Sequence, residues 1–171
     1  MALIPSYNAL APTIKKLFET RESDKAAVNL ISMYLSGWDF EESWYLSNYS
    51  DLASAIPSKD FPSGFAHFRA IGYLEGRLPI KPEVDTTWYM TNYPDVAAAI
   101  LQGTFESANQ HFMLSGYKEG RLAEGPDIDV AWYARTYLRV TEPGGAKLAD
   151  CIAHFKAVGY LNGALPRLKN T

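Results

Sequence analysis

The sequence predicts an all-α fold: an array of about three helical repeats of 44 residues and a divergent N-terminal half-repeat, packed as one compact domain. Tryptophan recurs every 44 residues, each time followed by tyrosine, at Trp44, Trp88 and Trp132. The phrase HFRAIGYLEGRLP recurs as HFMLSGYKEGRLA and HFKAVGYLNGALP, starting at His67, His111 and His154. No stretch shows the alternation that is typical of a strand. A fixed period of roughly 20 to 50 residues indicates a repeat architecture.

The period also sets the expected boundaries. Residues 39–82 form repeat 1, residues 83–126 form repeat 2, and residues 127–171 form repeat 3 with a C-terminal tail. Residues 1–38 are a divergent capping unit, because VNLISMYLSGWD keeps the glycine end of a helix at Gly37 but lacks the glycine-arginine segment after it. Terminal caps of repeat arrays often diverge in this way.

Each repeat is expected to begin with a helical region. In WYLSNYSDLASAI the apolar positions Tyr45, Tyr49, Leu52 and Ile56 follow one stripe of a helix. Repeat 2 has Pro94 in the matching stretch, and proline suits a first helical turn but not a helix interior. We therefore expect one short helix to end near Tyr93 and another to start at Pro94.

A second helix, FAHFRAI in repeat 1 and NQHFMLS in repeat 2, follows a variable loop. Glycine comes directly after this apolar helical run, at Gly72, Gly116 and Gly159. Because glycine is the usual residue of a left-handed C-terminal cap, these three are predicted to end the second helices at positive φ. The remaining YLEGRLP is expected to be a turn with a proline exit.

Composition excludes several classes of protein. A formal charge of -3, with sixteen scattered Lys and Arg, argues against nucleic-acid binding. One cysteine, Cys151, permits no internal disulfide and is expected to be a small core residue. No window has the length of a membrane span, and the start MALIPSYNAL has no apolar run behind a basic segment. A cytoplasmic location is expected, and secretion without an N-terminal signal stays open.

The aromatic and histidine residues allow two interpretations. The three histidines occupy one slot of the repeat without metal-ligand spacing, so they are expected to be structural, with a ligand role as the alternative. The tryptophans are expected to fill the core, although a row of rings could also stack on sugars. No nucleophile elbow, phosphate loop or cofactor motif is present, so no catalytic residue, metal or cofactor is assigned and the chain is not expected to be an enzyme.

The charges of the three copies differ in a coordinated way. Repeats 1 and 2 carry Asp51 and Asp95 with the turns Glu75-Gly76-Arg77 and Glu119-Gly120-Arg121, whereas repeat 3 has Arg139, Asn162 and Ala164. Because repeat 3 has lost the aspartate and the arginine together, we predict that Asp51 pairs with Arg77, and Asp95 with Arg121 or Arg77. The alternative is that the charges of a terminal repeat have simply drifted. If the charges are unpaired, the turns are the candidate binding surface, made of Tyr73, Glu75, Arg77, Tyr117, Glu119 and Arg121.

The sequence of repeat 2, WYMTNYPDVAAAI followed by HFMLSGYKEGRLA, resembles a short helical repeat. That repeat is found beside bacterial glycosyltransferase domains of surface-polysaccharide synthesis and in some large bacterial surface or secreted proteins. Repeat 1 departs from it at Ser50, and repeat 3 at Arg139, Asn162 and Ala164. The resemblance implies a bacterial origin and no reaction.

Two functions therefore stand side by side. The first is a non-catalytic interaction or scaffold module with a protein partner, tied to surface-polysaccharide assembly or the cell surface. The second is a module that binds carbohydrate through exposed repeat aromatics. A glycan reader should leave several tyrosine or tryptophan side chains exposed in a row, whereas a scaffold should bury them and expose apolar surface elsewhere.

Overall fold

The computed structural model describes residues 6–19, 33–52, 61–142 and 144–167, and it is all-helical over these ranges. The helices are α1 (Tyr7–Glu19), α2 (Glu42–Asn48), α3 (Gly64–His67), α4 (Thr86–Asn92), α5 (Pro94–Leu101), α6 (Ala108–His111), α7 (Val130–Tyr133) and α8 (Leu148–His154). Four π-helical segments directly continue α3, α6, α7 and α8: π1 (Phe68–Gly72), π2 (Phe112–Gly116), π3 (Ala134–Leu138) and π4 (Phe155–Gly159).

The described chain divides into two compact units where the sequence predicted one domain. One unit consists of the described residues of Leu10–Pro82, and the other of those of Met1–Ala9 and Glu83–Thr171. The predicted repeat boundaries stay predictions; Pro82 and Glu83, on either side of one of them, also separate the two units.

The first helical region of repeats 1 and 2 breaks at the same tyrosine. The chain leaves α2 at Tyr49 with φ -112° and ψ 75°, and leaves α4 at Tyr93 with φ -131° and ψ 75°. Pro94 then starts α5 at its first position, which confirms the prediction for repeat 2. Repeat 1 breaks at the matching tyrosine without a proline, so the proline is not what causes the break. The expected continuation of the stripe to Ile56 lies outside the described residues.

The prediction that Gly72, Gly116 and Gly159 cap the second helices is wrong. Positive φ occurs instead four residues later in each copy, at Gly76 (75°), Gly120 (76°) and Gly163 (71°). In repeat 1 the Arg77 N–H donates to the Gly72 carbonyl at 2.9 Å and the Gly76 N–H to the Tyr73 carbonyl at 3.0 Å. This is the paired hydrogen-bond pattern of a helix that ends on a left-handed glycine. The helix therefore runs through the first glycine and ends on the second.

The centre of each repeat is a tyrosine and not a tryptophan. Tyr45, Tyr89 and Tyr133 are each 0 % exposed. The tryptophan before each of them is only half-buried, so the expectation of a tryptophan core is wrong. Each tryptophan packs edge-on against the tyrosine five residues later, with ring centroids 5.6 to 6.0 Å apart. Cys151 is fully buried, as expected.

Every repeat closes on itself through one backbone hydrogen bond. The N–H at the entry to the first helix donates to a carbonyl at the exit of the turn, at 3.1 Å in all three copies: Glu41 to Pro79, Asp85 to Ala123 and Asp129 to Pro166. Asp85 and Asp129 also cap the helices that they precede, since their carboxylates accept from Trp88 and Trp132 N–H at 2.9 and 3.0 Å. The turn is therefore held against the start of its own repeat.

The first glycine of the phrase is required because a tyrosine hydroxyl lies against it. A Cβ built on Gly159 would lie 2.5 Å from the Tyr133 hydroxyl, and one on Gly72 or Gly116 would clash with the hydroxyl of Tyr45 or Tyr89. Alanine at these positions would displace a fully buried ring. The requirement is therefore steric and does not come from φ.

We expect Gly116→Ala to destabilise the protein by about 1 to 3 kcal/mol, the usual cost of forcing a methyl group into a packed core. Tyr89→Phe removes the clashing oxygen, so Gly116→Ala should be much less harmful when it is introduced into the Tyr89→Phe protein. Urea unfolding of the two single variants and the double variant measures this coupling. Equal cost of Gly116→Ala in both backgrounds would contradict the steric explanation.

Candidate functional site

Each of the three histidines pairs with the central tyrosine of its own repeat; the pairs of His67 and His111 are buried and that of His154 is partly buried. Nδ1 lies 3.0, 2.9 and 2.8 Å from the hydroxyl in the pairs His67–Tyr45, His111–Tyr89 and His154–Tyr133. The first helix of a repeat supplies the tyrosine and the second helix supplies the histidine, so each pair joins the two halves of one repeat. A phenylalanine of the variable loop covers the ring in two of them, Phe61 over His67 and Phe105 over His111.

Electrostatics favour the neutral forms of His67 and His111 and of the three central tyrosines. Burial lowers the pKa of His67 and His111, and for each the nearby Arg77 or Arg121 lowers it further. Burial raises the pKa of the central tyrosines, to about 12 for Tyr133. A tyrosine with a raised pKa stays protonated near neutral pH, and a protonated phenol is a weak nucleophile. Within the described residues no three His, Cys, Asp or Glu side chains group as metal ligands.

The two glycine-arginine turns carry a second recurrent contact, which we call the arginine clamp: Asp51, Tyr49, Glu75 and Arg77 in repeat 1, and Asp95, Tyr93, Glu119 and Arg121 in repeat 2. In repeat 1, Arg77 donates from both terminal nitrogens to Asp51, at 3.0 and 2.7 Å, and from Nε to Glu75 at 2.6 Å. The guanidinium also lies over the Tyr49 ring, with its carbon 4.8 Å from the centroid. Repeat 2 has the same bidentate distances between Arg121 and Asp95.

The clamp confirms the predicted pairing and selects among its alternatives, because Asp95 pairs with the arginine of its own repeat. Bidentate arginine-carboxylate geometry and stacking on an aromatic face both favour arginine over lysine. The arginine side chains are only 16 % and 20 % exposed. Hydrogen bonds from the arginines hold the pKa of Asp51 and Asp95 below the usual aspartate range.

Each clamp tyrosine also receives a backbone hydrogen bond from the turn. The N–H of Leu78 donates to the Tyr49 hydroxyl at 2.8 Å and that of Leu122 to the Tyr93 hydroxyl at 2.9 Å. Repeat 3 keeps this bond, from Leu165 N–H to the Tyr137 hydroxyl at 3.1 Å. It lacks the charged part of the clamp, because Arg139, Asn162 and Ala164 replace the carboxylates and the arginine. Its first helix instead continues through π3 and ends at Arg139, which has φ 58°.

The candidate binding surface on the two glycine-arginine turns is only partly accessible. Tyr73 and Tyr117, two of its six expected members, are buried, each with 1 % exposure. They pack within their own units, Tyr73 against Trp38 and Phe68, and Tyr117 against Tyr7 and Phe112. Glu75 and Glu119 are exposed, while Arg77 and Arg121 are held in the clamps. The sequence could not show that the helix continues past Gly72 and turns Tyr73 inward.

A contact between repeats 2 and 3 was not expected from the sequence. The Lys156 Nζ lies 5.6 Å from the centre of the Trp88 ring and 4.8 Å from that of Tyr93, and it donates to Asn92 Oδ1 at 3.1 Å. Burial lowers the pKa of this ammonium. Lys156, which lies three residues before the first glycine of repeat 3, therefore makes cation–π contacts with the Trp88 and Tyr93 rings of repeat 2.

The exposed large apolar side chains are aliphatic with few exceptions. Ile71, Leu114 and Val158 lie on π1, π2 and π4, one or two residues before the first glycine, and are 39 %, 61 % and 44 % exposed. Tyr34, at 50 %, is the one large exposed aromatic among the described residues. No helix of that part of the chain is long and apolar enough to cross a membrane.

Comparisons with protein-family models, curated proteins and solved structures find no match to this chain. Function must therefore be argued from the contacts above.

We expect the Asp95–Arg121 clamp to contribute about 1 kcal/mol, more than a typical exposed ion pair, because it combines bidentate bonds with ring stacking. A double-mutant cycle with Asp95→Asn and Arg121→Gln measures the coupling. Arg121→Lys should recover less than half of it. A coupling near zero would leave both turns free for a partner and restore them as the leading binding surface.

We also expect the free energy of unfolding to fall as the pH drops below about 6.5, the ordinary histidine pKa. The unfolded chain takes up protons on His67 and His111 there, whereas the folded chain resists them until its lowered pKa is reached. The contribution of Asp51 and Asp95 is lost only below about pH 4, as their unfolded forms become protonated.

Urea unfolding between about pH 7.5 and about pH 5 measures the loss of stability that the histidines cause, because the contribution of the aspartates is lost only at lower pH. The His67→Gln/His111→Gln variant should show a flatter pH dependence than the unaltered chain. Identical slopes for the two proteins would contradict the buried neutral state of the histidines.

Proposed function

We propose that this chain is a non-catalytic interaction module that presents aliphatic side chains of its second helices to a protein partner. The observation that carries the proposal concerns the repeated phrase, which is HFRAIGYLEGRLP in repeat 1. Some of its positions make contacts within the protein, and others are exposed. Its histidine, first glycine and arginine positions are used in contacts inside the repeat, while the positions just before the first glycine point aliphatic side chains outward.

The outward positions are the ones expected to recognise a partner. Leu114 and Val158 belong to the unit from Glu83 onward, and they are 61 % and 44 % exposed. A contiguous exposed apolar patch commonly marks a protein contact, and we propose that both side chains belong to such a patch. An amphipathic helix with aliphatic anchors is the kind of partner that fits such positions.

Carbohydrate binding is the weaker candidate. The paired tryptophans and tyrosines are half-buried against one another or fully buried, so the described residues present no row of open rings. The resemblance of the repeat phrase supports a role near bacterial surface-polysaccharide assembly or the cell surface, with the protein acting from the cytoplasm. With a net charge of -3, nucleic acid is not an expected partner.

Site-specific photo-crosslinking in the source cells tests the proposal. A photoreactive residue at position 114 or 158 should give a defined protein adduct, and the same residue at position 101 serves as the control, because Leu101 is 84 % exposed but lies at the end of α5. With the photoreactive residue at position 114, Val158→Glu should abolish that adduct without changing the thermal midpoint, and Leu114→Glu should do the same when the photoreactive residue is at position 158.

Two results would contradict the proposal. One is an equal adduct from all three positions, since that would indicate non-specific collision. The other is the absence of a protein adduct together with binding to a glycan array, which would favour the carbohydrate reader.

A further inference from the structure

We propose that Asn162 is a site of spontaneous deamidation, and that the reaction opens the glycine turn of repeat 3. Asparagine is a chemically labile residue, and the pair Asn162-Gly163 is the one place in the sequence where glycine follows it directly. The proposal concerns a covalent change within repeat 3, and it does not depend on the partner surface proposed above.

Repeat 3 differs from the other two repeats at this position. Glu75 and Glu119 precede the left-handed glycine in repeats 1 and 2, and each accepts a hydrogen bond from the clamp arginine, at 2.6 and 2.5 Å. Repeat 3 has Asn162 in their place and Ala164 in place of the arginine. A glutamate carboxylate has no ammonia to lose, so repeats 1 and 2 are inert at the position where repeat 3 can react.

The surroundings of Asn162 leave its side chain free to react. Asn162 and Gly163 are both exposed. The Asn162 carboxamide forms no hydrogen bond with another described residue. A Cβ placed on Gly163 would have no heavy atom within 4 Å, so this side of the turn is open. The carboxamide can therefore rotate towards the backbone that follows it.

The nitrogen that would attack it is weakly held. The Gly163 N–H donates to the Tyr160 carbonyl at 3.3 Å, whereas the matching bonds of Gly76 and Gly120 measure 3.0 and 3.1 Å. The usual N–H···O distance is about 2.9 to 3.0 Å, so the bond in repeat 3 is a long one. Less stabilisation is therefore lost when the Gly163 nitrogen turns towards the side chain of Asn162.

The reaction needs only water. The Gly163 nitrogen attacks Cγ of Asn162, the new C–N bond closes a succinimide ring, and the side-chain nitrogen leaves as ammonia with the proton of the Gly163 N–H. Glycine favours this step because it has no side chain to hinder the attack. Water then opens the ring. Cleavage of the bond to Cγ gives aspartate, and cleavage of the bond to the main-chain carbonyl carbon gives isoaspartate, in which the chain runs through Cγ.

Both products should weaken the turn of repeat 3. Isoaspartate inserts an extra main-chain carbon directly before Gly163, whose φ of 71° the turn requires. The next hydrogen bond of the turn, from the Ala164 N–H to the Gly159 carbonyl at 2.8 Å, would then be displaced. Aspartate keeps the backbone but puts a negative charge just past the C-terminal end of a helix, where repeat 3 has no clamp arginine to neutralise it.

Incubation of the folded protein in mildly alkaline buffer tests the proposal. Peptide mass spectrometry locates each change, an isoaspartyl methyltransferase serves as the probe for isoaspartate, and circular dichroism checks that the protein stays folded. Asn162 should convert to the acid before any other asparagine shows measurable loss of its amide. An Asn162 amide that survives as long as those of Asn48 and Asn92 would overturn the proposal.

Two variants make the test specific. Asn162→Gln keeps an amide but needs a larger ring, so it should yield neither the acid peptide nor a methylated product. Glu119→Asn places the same Asn-Gly pair in the repeat 2 turn, beside Arg121. That asparagine should react more slowly than Asn162, because the arginine can hold its side-chain oxygen and the Gly120 N–H is better bonded. Equal rates at the two positions would assign the reactivity to the dipeptide alone and overturn the role of repeat 3.

The thermal midpoint measures the effect on the turn. The unaltered protein should unfold at a lower temperature after incubation, in step with its content of the two products, whereas Asn162→Gln should keep the midpoint of its fresh form. Complete conversion without a change in the midpoint would overturn the opening of the turn. Neither outcome bears on photo-crosslinking at positions 114 and 158, so the proposed function and this proposal succeed or fail separately.

Discussion

The contact on which the repeat depends is a tyrosine hydroxyl held between a histidine ring and a glycine that has no Cβ. It joins the first helix of a repeat to the second through a fully buried ring, and it recurs with hydroxyl to Nδ1 distances of 2.8 to 3.0 Å. A buried hydroxyl without a partner would cost about 1 to 3 kcal/mol. The histidine supplies that partner, and the glycine allows the helix to approach. One contact thus fixes the tyrosine of the first helix together with the histidine and the first glycine of the phrase.

The rest of the repeat is built outward from this pair. The helix passes the buried glycine as a π segment and ends on a second glycine, which returns the chain to the start of its repeat. The arginine clamp then ties the turn to the tyrosine at which the first helix breaks. Repeat 3 shows that the clamp is an addition, because that copy keeps the Tyr133–His154 pair and the Leu165–Tyr137 bond without any of the clamp charges.

The sequence predicted the features that depend on period and on local chemistry. The all-helical fold, the break at Tyr93 and the Asp95–Arg121 pair all follow from spacing, from proline and from joint loss of charges. It could not place Gly72 correctly, because a glycine required for close approach and one required for positive φ look alike in a sequence. The same ambiguity placed Tyr73 on the surface. The tryptophans were expected in the core because they are the largest side chains of the repeat, yet the smaller Tyr45, Tyr89 and Tyr133 occupy it. The contact of Lys156 with repeat 2 could not be predicted from the sequence, because Lys156 and its hydrogen-bond partner Asn92 are 64 positions apart.

The most direct test of the central contact is a proton NMR measurement of the tyrosine hydroxyls. A hydroxyl proton that is buried and hydrogen-bonded exchanges slowly enough to be observed. We predict three such resonances, each with a nuclear Overhauser effect to the α protons of Gly72, Gly116 or Gly159 in its own repeat. Hydroxyl protons that exchange freely with solvent, with no hydroxyl resonance near any of the three glycines, would contradict the account.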